Sequence, residues 1–412
     1  MTLKRGGNEA FPARASRASA QLVYALDHCV PFFLGVEDSI FKGARGMATF
    51  NVYASSSSGS TSQWQLRDPP KDGVTSVRFS KERGSDSLLV SSWDGTLTLY
   101  DTKLDSVSWK QTLTDEVPIL DCVFVGREEK LALTGALDGK VRVHHLDASA
   151  SNAASVQVMK EEHKDGVGCV GWCEDVNVGA SGGWDKQFCT WDPRSKCSRV
   201  AQAVLPGKAF SLDISACRAV IACAERKILI YDLRNLSKPE QVRQSSLQHQ
   251  IRIVSCSPAE LDAYAIGTVD GRVAIEYFDP KIHSKKKFAF KCHRVKSESK
   301  TDAGADAPTT IAYPVNAISF HPKLGTFATG GGDGNVVTWD AINRRRITTY
   351  SQYSTSISSL SFNCDGSRLA VANSYTFEQG EIENKPKDSI FIRVVQSEEV
   401  QPKEKSKKRS RD

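Results

Sequence analysis

Arg272, Lys291 and Arg294 are the residues of this 412-residue chain whose types and spacing could do chemistry, and that chemistry is anion capture. A guanidinium offers a planar fork matched to a phosphate or carboxylate, and an ammonium offers a compact charge. The three lie in the segment 270–294, DGRVAIEYFDPKIHSKKKFAFKCHR. It opens on Asp270-Gly271, a strong hairpin signal. Val273, Ile275 and Tyr277 then alternate with Arg272, Ala274 and Glu276, a period of two that reads as a strand with one apolar face. A basic insert follows, then Phe288-Ala289-Phe290, a second strand running into Lys291, His293 and Arg294. The cations therefore stand on a stiff β-frame. Taken singly, each reads as a solvated surface charge.

Other chemistries are poorly supplied. The eight His residues show no triad order and no metal spacing. Gly330-Gly331-Gly332 lacks the Lys-Ser/Thr of a phosphate loop. Cys169, Cys173 and His163 match no zinc template. The chain reads as a non-enzyme with no cofactor and no metal.

The elements that must position the cations come from a repeat, which has to be read before single motifs. Its core is an apolar strand, a turn holding an acid, and a strand closing on an aromatic and Asp. Copies run from Leu88 to Gly95, closing at Tyr100-Asp101, and from Ala132 to Gly139. Others run from Gly179 to Lys186, closing at Trp191-Asp192, and from Val220 to Glu225, closing at Tyr231-Asp232. The fifth carries Asp270-Gly271 and closes at Tyr277-Phe278-Asp279; the sixth closes at Trp339-Asp340, and a seventh spans Leu369 to Tyr375. The turns recur about every 40 to 47 residues, apart from one interval lengthened by an insert, a WD-repeat period with four strands per blade. The reading is an all-β, seven-bladed β-propeller.

In each repeat the turn Asp bonds its own main chain. The closing aromatic packs on a neighbouring blade. A Gly-His pair usually completes the network; here only His163 stands in a fitting position. Trp184, Asp185, Trp191, Asp192, Trp339 and Asp340 should be core. A ring must hide its edge strands, so Gln63-Trp64-Gln65-Leu66 should complete the last blade beside 357–395.

The propeller is thus expected over 61–398. Residues 1–60, Arg/Ala/Ser-rich and then broken by Asp27, His28 and Pro31, read as a dispensable or disordered extension with Met47 as a natural start. They make a poor signal peptide. The insert 297–310 reads as a mobile loop, and 399–412, ending KEKSKKRSRD, as a basic tail that is either a nuclear-localisation or nucleic-acid patch or simply solvated. Eleven cysteines without a Cys-x-x-Cys read as reduced structural thiols. No apolar run is long enough for a spanning helix, and a net charge of +6 is too modest to argue for nucleic acid. Neither membrane nor direct nucleic-acid binding is expected.

The fifth copy also carries a resemblance. Gly271 to Tyr277, Phe288 to Arg294 and Tyr313 to Phe320 are similar to the mitotic spindle-checkpoint propellers of the Bub-three family. Ser91 to Gly95, Trp191-Asp192-Pro193-Arg194, Tyr231 to Asn235 and Ser245-Ser246-Leu247 support it. The likeness covers about 64–395. It implies a non-enzymatic adaptor, in the nucleus and at kinetochores in mitosis, with two partners. One is a checkpoint kinase or pseudokinase carrying an acidic motif; the other is the kinetochore scaffold, read at phosphothreonine in Met-Glu-Leu-Thr repeats. Ubiquitin binding is not implied. By matching strings, Arg272 and Lys291 would hold the phosphothreonine, Arg252 and Arg294 would clamp the acidic motif, and Trp93 would pack against the bound segment. Two other readings share features: the sister propeller of messenger-RNA export at nuclear pores, and a cullin-ligase substrate receptor, for which Trp191-Asp192-Pro193-Arg194 fits the Trp-Asp-x-Arg signature.

Overall fold

A computed structural model describes residues 63–402, except 104–107, 147–155, 195–197, 259–260, 298–308, 351–352 and 379. The expectations for 1–60, for most of the 297–310 insert and for the end of the basic tail lie outside the described residues. Within them, seven four-stranded antiparallel sheets follow one another along the chain. In the first, Val74–Phe79 is innermost, followed outward by Ser87–Ser92, Thr96–Asp101 and Ser108–Thr114. The fifth is built from Ile251–Cys256, Ala263–Thr268, Arg272–Tyr277 and Phe288–Lys291. This is a seven-bladed β-propeller.

One hydrogen bond shows that all seven copies share a geometry. In each blade the residue after the second strand donates to the carbonyl just before the first: Trp93 to Gly73, Leu137 to Pro118, Trp184 to Gly166, Ala224 to Lys208, Val269 to Gln250, Gly332 to Pro314 and Ser374 to Ser356. The turns to the third strand therefore all sit at one end of the propeller. They need a left-handed backbone, which glycine adopts without strain. At Gly271 φ is +67°, and a Cβ would lie 2.6 Å from the Cys292 carbonyl oxygen.

The ring closes with a strand from its N-terminal side. Gln63–Gln65 pairs with Ser389–Val394 as the outer strand of the seventh blade, which ties the two ends of the ring together. Side chains stitch neighbouring inner strands together. Asp121 accepts from the Val170 amide (3.0 Å), Ser211 from Val254 (3.0 Å), and Ser359 and Ser361 from Val77 and Phe79 across the closure. The closing aromatics pack backward onto the preceding blade. Tyr231 meets Phe188 at 5.4 Å and Trp339 meets Phe290 at 4.4 Å between ring centroids.

Four details differ from the sequence expectations. Trp184, Trp191 and Asp340 are buried and the Asp185 side chain nearly so, but Trp339 and Asp192 are half-buried, Asp192 paired with Arg194. The segment after Asp279 is not plain insert: Pro280–Lys286 is a helix, N-capped by Asp279, whose carboxylate accepts from the Lys281 amide at 2.7 Å. An Asp cap before a proline at the first helical position is the sequence signal for it. The insert emerges from a hairpin, Arg294–Ser297 paired with Thr309–Ala312, so its two ends are strand. The packed chain also runs past 398: Ser397–Val400 is a short helix with Val400 buried.

Candidate functional site

In the second, third, fifth and sixth blades the turn acid meets three different kinds of partner. In the third blade His163 Nδ1 meets Asp185 at 3.0 Å and its Nε2 meets Ser181 at 2.8 Å, while Trp191 Nε1 donates to the same Ser181 oxygen at 2.8 Å. Burial works against the imidazolium, but the Asp185 hydrogen bond, helped by Cys189, raises the His163 pKa to about 9. The sixth blade has the same network: His293 to Asp333 (2.8 Å) and Thr329 (2.9 Å), and Trp339 to Thr329 (2.9 Å). His293 is therefore structural, not part of the basic stretch it follows in sequence. In the second blade Arg142, itself buried, closes bidentately on Asp138 and reaches Asp115 at 2.7 Å.

The fifth blade has neither arrangement. Asp270 Oδ1 accepts from Thr268 Oγ1 (2.6 Å), which fixes the carboxylate, and Asp270 Oδ2 accepts from Arg272 Nε at 2.7 Å. Arg294 Nη2 donates to the Asp270 carbonyl at 2.8 Å and lies 3.8 Å from the carboxylate, as does His249 Nε2. The bond through Nε leaves both terminal nitrogens of Arg272 without a protein partner among the described residues. Arg294 Nε is buried and has no hydrogen-bond partner among the described residues. Lys291, exposed, stands directly across the strand pair from Arg272. The structure thus brings Arg272, Lys291 and Arg294 together, with Asp270 and His249 as residues the sequence reading missed. For Asp270 the available signal was the neighbouring cations, and for His249 its place upstream of the turn acid, much as His163 stands upstream of Asp185.

Arg252 and Trp93 are placed apart from that cluster. Arg252 occupies the bulge after Ile251, whose partner is Thr268, and so lies at the same end of the propeller. It lines the central channel, to which all seven inner strands contribute, and Trp93 lines it from the first blade. Trp93 is only 7% exposed, packed with Leu120, Leu137 and Trp184, so a bound segment would reach little of its ring. Trp191-Asp192-Pro193-Arg194 is a turn in which the Arg194 amide and Nε both donate to Asp192. Asp232 and Arg234 repeat it in the fourth blade, so the pattern is recurrent turn chemistry.

Comparison with known proteins agrees with this architecture. The family model of the WD domain, G-beta repeat, matches residues 60–101, 155–192 and 309–340. The crystal structure of RRP9 WD40 repeats superposes with a TM-score of 0.66 at 12% identity, over 81% of this chain and 97% of that one, a likeness of fold alone. The mitotic checkpoint protein BUB3.1 of Arabidopsis thaliana is 43% identical over 83% of this chain and 95% of its own length. The chain belongs to the Bub3 family. Bub3 proteins are mitotic checkpoint proteins, and the site of this one is to be understood in a protein-binding propeller. A weaker likeness, 31% identity over 84% of the chain and 94% of the relative, connects it to the mRNA export factor GLE2 of Chaetomium thermophilum.

Proposed function

We propose that the Asp270 end of the fifth blade is a receptor for phosphothreonine and for an acidic segment, through which this Bub3-family propeller recruits a checkpoint kinase to a phosphorylated kinetochore scaffold. The observation that carries the reading is the pair of guanidiniums, Arg272 and Arg294, both bonded to Asp270, with Lys291 across the strand pair from Arg272. A phosphothreonine brings about −1.5 to −2 charge and three acceptor oxygens. A fork whose Nε is already engaged presents its two Nη groups with less rotamer freedom left to lose. Arg252, which lines the channel from the same blade, would meet the acidic segment, with Trp93 lining it from the first blade.

The role follows as an adaptor that acts by joining partners, in the nucleus and at kinetochores in mitosis. The test is a titration of a phosphorylated Met-Glu-Leu-Thr peptide into the wild type and into Arg272→Glu. Tight binding by the wild type, dependent on the phosphate and lost in the variant, is expected; equal binding by both would sink the assignment. Messenger-RNA export is the second reading, favoured by the GLE2 likeness. It requires the chain to associate with RNA and a pore protein in place of the phosphopeptide.

A further inference from the structure

The end of the propeller opposite Asp270 carries a second concentration of positive charge. The strand Arg272–Tyr277 runs away from the Asp270 turn, and Phe288 pairs with Ile275 near its far end. The helix Pro280–Lys286 therefore lies at the far end of the fifth blade. In the sixth blade Asp340, the last residue of its strand, pairs with Arg345, so the 341–344 turn lies at that far end too. The two segments touch: Arg344 Nη2 donates to the Lys286 carbonyl at 3.0 Å, and its guanidinium lies 4.8 Å from the Phe288 ring centroid.

Lys281, the lysines at 285–287 and the arginines at 344–346 are all exposed. None has an ion-pair partner among the described residues, whereas Arg142, Arg234 and Arg272 are each paired with a carboxylate. Seven like charges held together raise the local potential and draw anions. The surface is also fixed. His283 Nδ1 accepts from Arg243 Nη1 at 3.2 Å, and Arg243 is itself bonded to the carbonyls of Tyr277 and Phe278, both at 2.8 Å. Apolar side chains stand among the cations: Ile342 is 60% exposed and Ile282 36%.

We propose that the helix Pro280–Lys286 and the 342–346 segment of the sixth blade form a second recognition surface, which docks an acidic peptide carrying apolar residues. Isoleucines interleaved with the cations give such a peptide a contact that a phosphate backbone would not use, because nucleic-acid affinity comes mainly from cations against phosphates. Because this surface and the Asp270 site face opposite ends, one propeller can hold both ligands at once, as a bridging adaptor requires.

The experiment uses the full chain and two synthetic peptides of equal length and charge, one pairing Glu with Leu and the other Glu with Ser, at physiological salt. A single-stranded DNA of matched charge is the third probe. The wild type should bind the Glu/Leu peptide at least about tenfold more tightly than the Glu/Ser peptide. Joint reversal of Lys285, Lys286, Arg345 and Arg346 to Glu should abolish that binding and leave the melting temperature unchanged. Ile342→Ser should weaken only the Glu/Leu peptide. Saturating phosphorylated Met-Glu-Leu-Thr peptide should not displace it, so failure of either site is read separately. Equal binding of the two peptides, or undiminished binding by the reversed variant, would overturn the proposal. DNA binding tighter than either peptide would make this a nucleic-acid surface instead.

Discussion

The third and fifth blades share one backbone and put it to different ends. Each has a turn acid, a left-handed residue after it, and a second-strand hydroxyl: Asp185, Lys186 and Ser181 in one, Asp270, Gly271 and Thr268 in the other. In the third blade an imidazole closes the circuit with Trp191, and Asp185, His163, Ser181 and Trp191 are bonded to one another inside the fold. In the fifth His249 stops 3.8 Å from the acid, and the carboxylate accepts instead from Arg272 Nε, with Arg294 Nη2 also 3.8 Å away. The partner of the turn acid is thus a buried imidazole in the third blade and an arginine in the fifth.

The strongest break in that comparison is His163→Ala. It strands the buried polar atoms of Asp185 and Ser181 and should cost about 3 kcal/mol in denaturant unfolding, with phosphopeptide affinity unchanged. A loss of affinity as large as the loss of stability would erase the distinction. Arg272→Glu is the mirror experiment. It should cost about 1.5–3 kcal/mol of binding, roughly 10- to 150-fold, while unfolding stays within about 0.5 kcal/mol of wild type.

The second and third blades should also differ with pH. The His163 pKa is raised in the fold to about 9, so its stabilisation is complete below the unfolded value near 6.5 and is lost as pH rises through about 9. Burial, with Arg142 and His145 nearby, lowers His144 to about 3; the unfolded chain then takes up the proton first, and stability falls as pH drops from 6.5 toward 3. Stability should therefore peak near neutral pH, with an alkaline decline on the order of 1 kcal/mol that a His163→Gln variant lacks. An alkaline decline of the same size in the variant would refute the His163 assignment.

The smallest and sharpest test is Asp270→Ala. Removing a negative charge should by itself favour phosphate; releasing Arg272 and Arg294 should disfavour it. Orientation is expected to win, with binding falling about fivefold, near 1 kcal/mol. Tighter binding would mean that Asp270 merely neutralises its neighbours.

Much of this was legible before the fold was seen, because repeats announce themselves. The spacing of Asp94, Asp138, Asp185 and Asp270 and the closing aromatics give blade number and register, and the unassigned strand at Gln63 points to the closure. His293 was hidden because the insert separates it from Asp333 by 40 residues, against 22 between His163 and Asp185. The helix Pro280–Lys286 was hidden by its lysines, although Asp279-Pro280 marks its start. Asp270 was read as turn punctuation only, since nothing local says which distant side chain will meet its carboxylate.

The sequence by itself determined the propeller, its seven copies and the cations Arg272, Lys291 and Arg294 of the fifth. Alternation and turn chemistry are local, and each copy repeats them. The tertiary structure alone decided which cations share an acid, that Arg252 and Trp93 line the central channel, and that the lysines at 285–287 join the arginines at 344–346 at the opposite end. Those juxtapositions depend on how blades pack around a ring, where residues far apart in the chain become neighbours through side-chain contacts that no single repeat encodes.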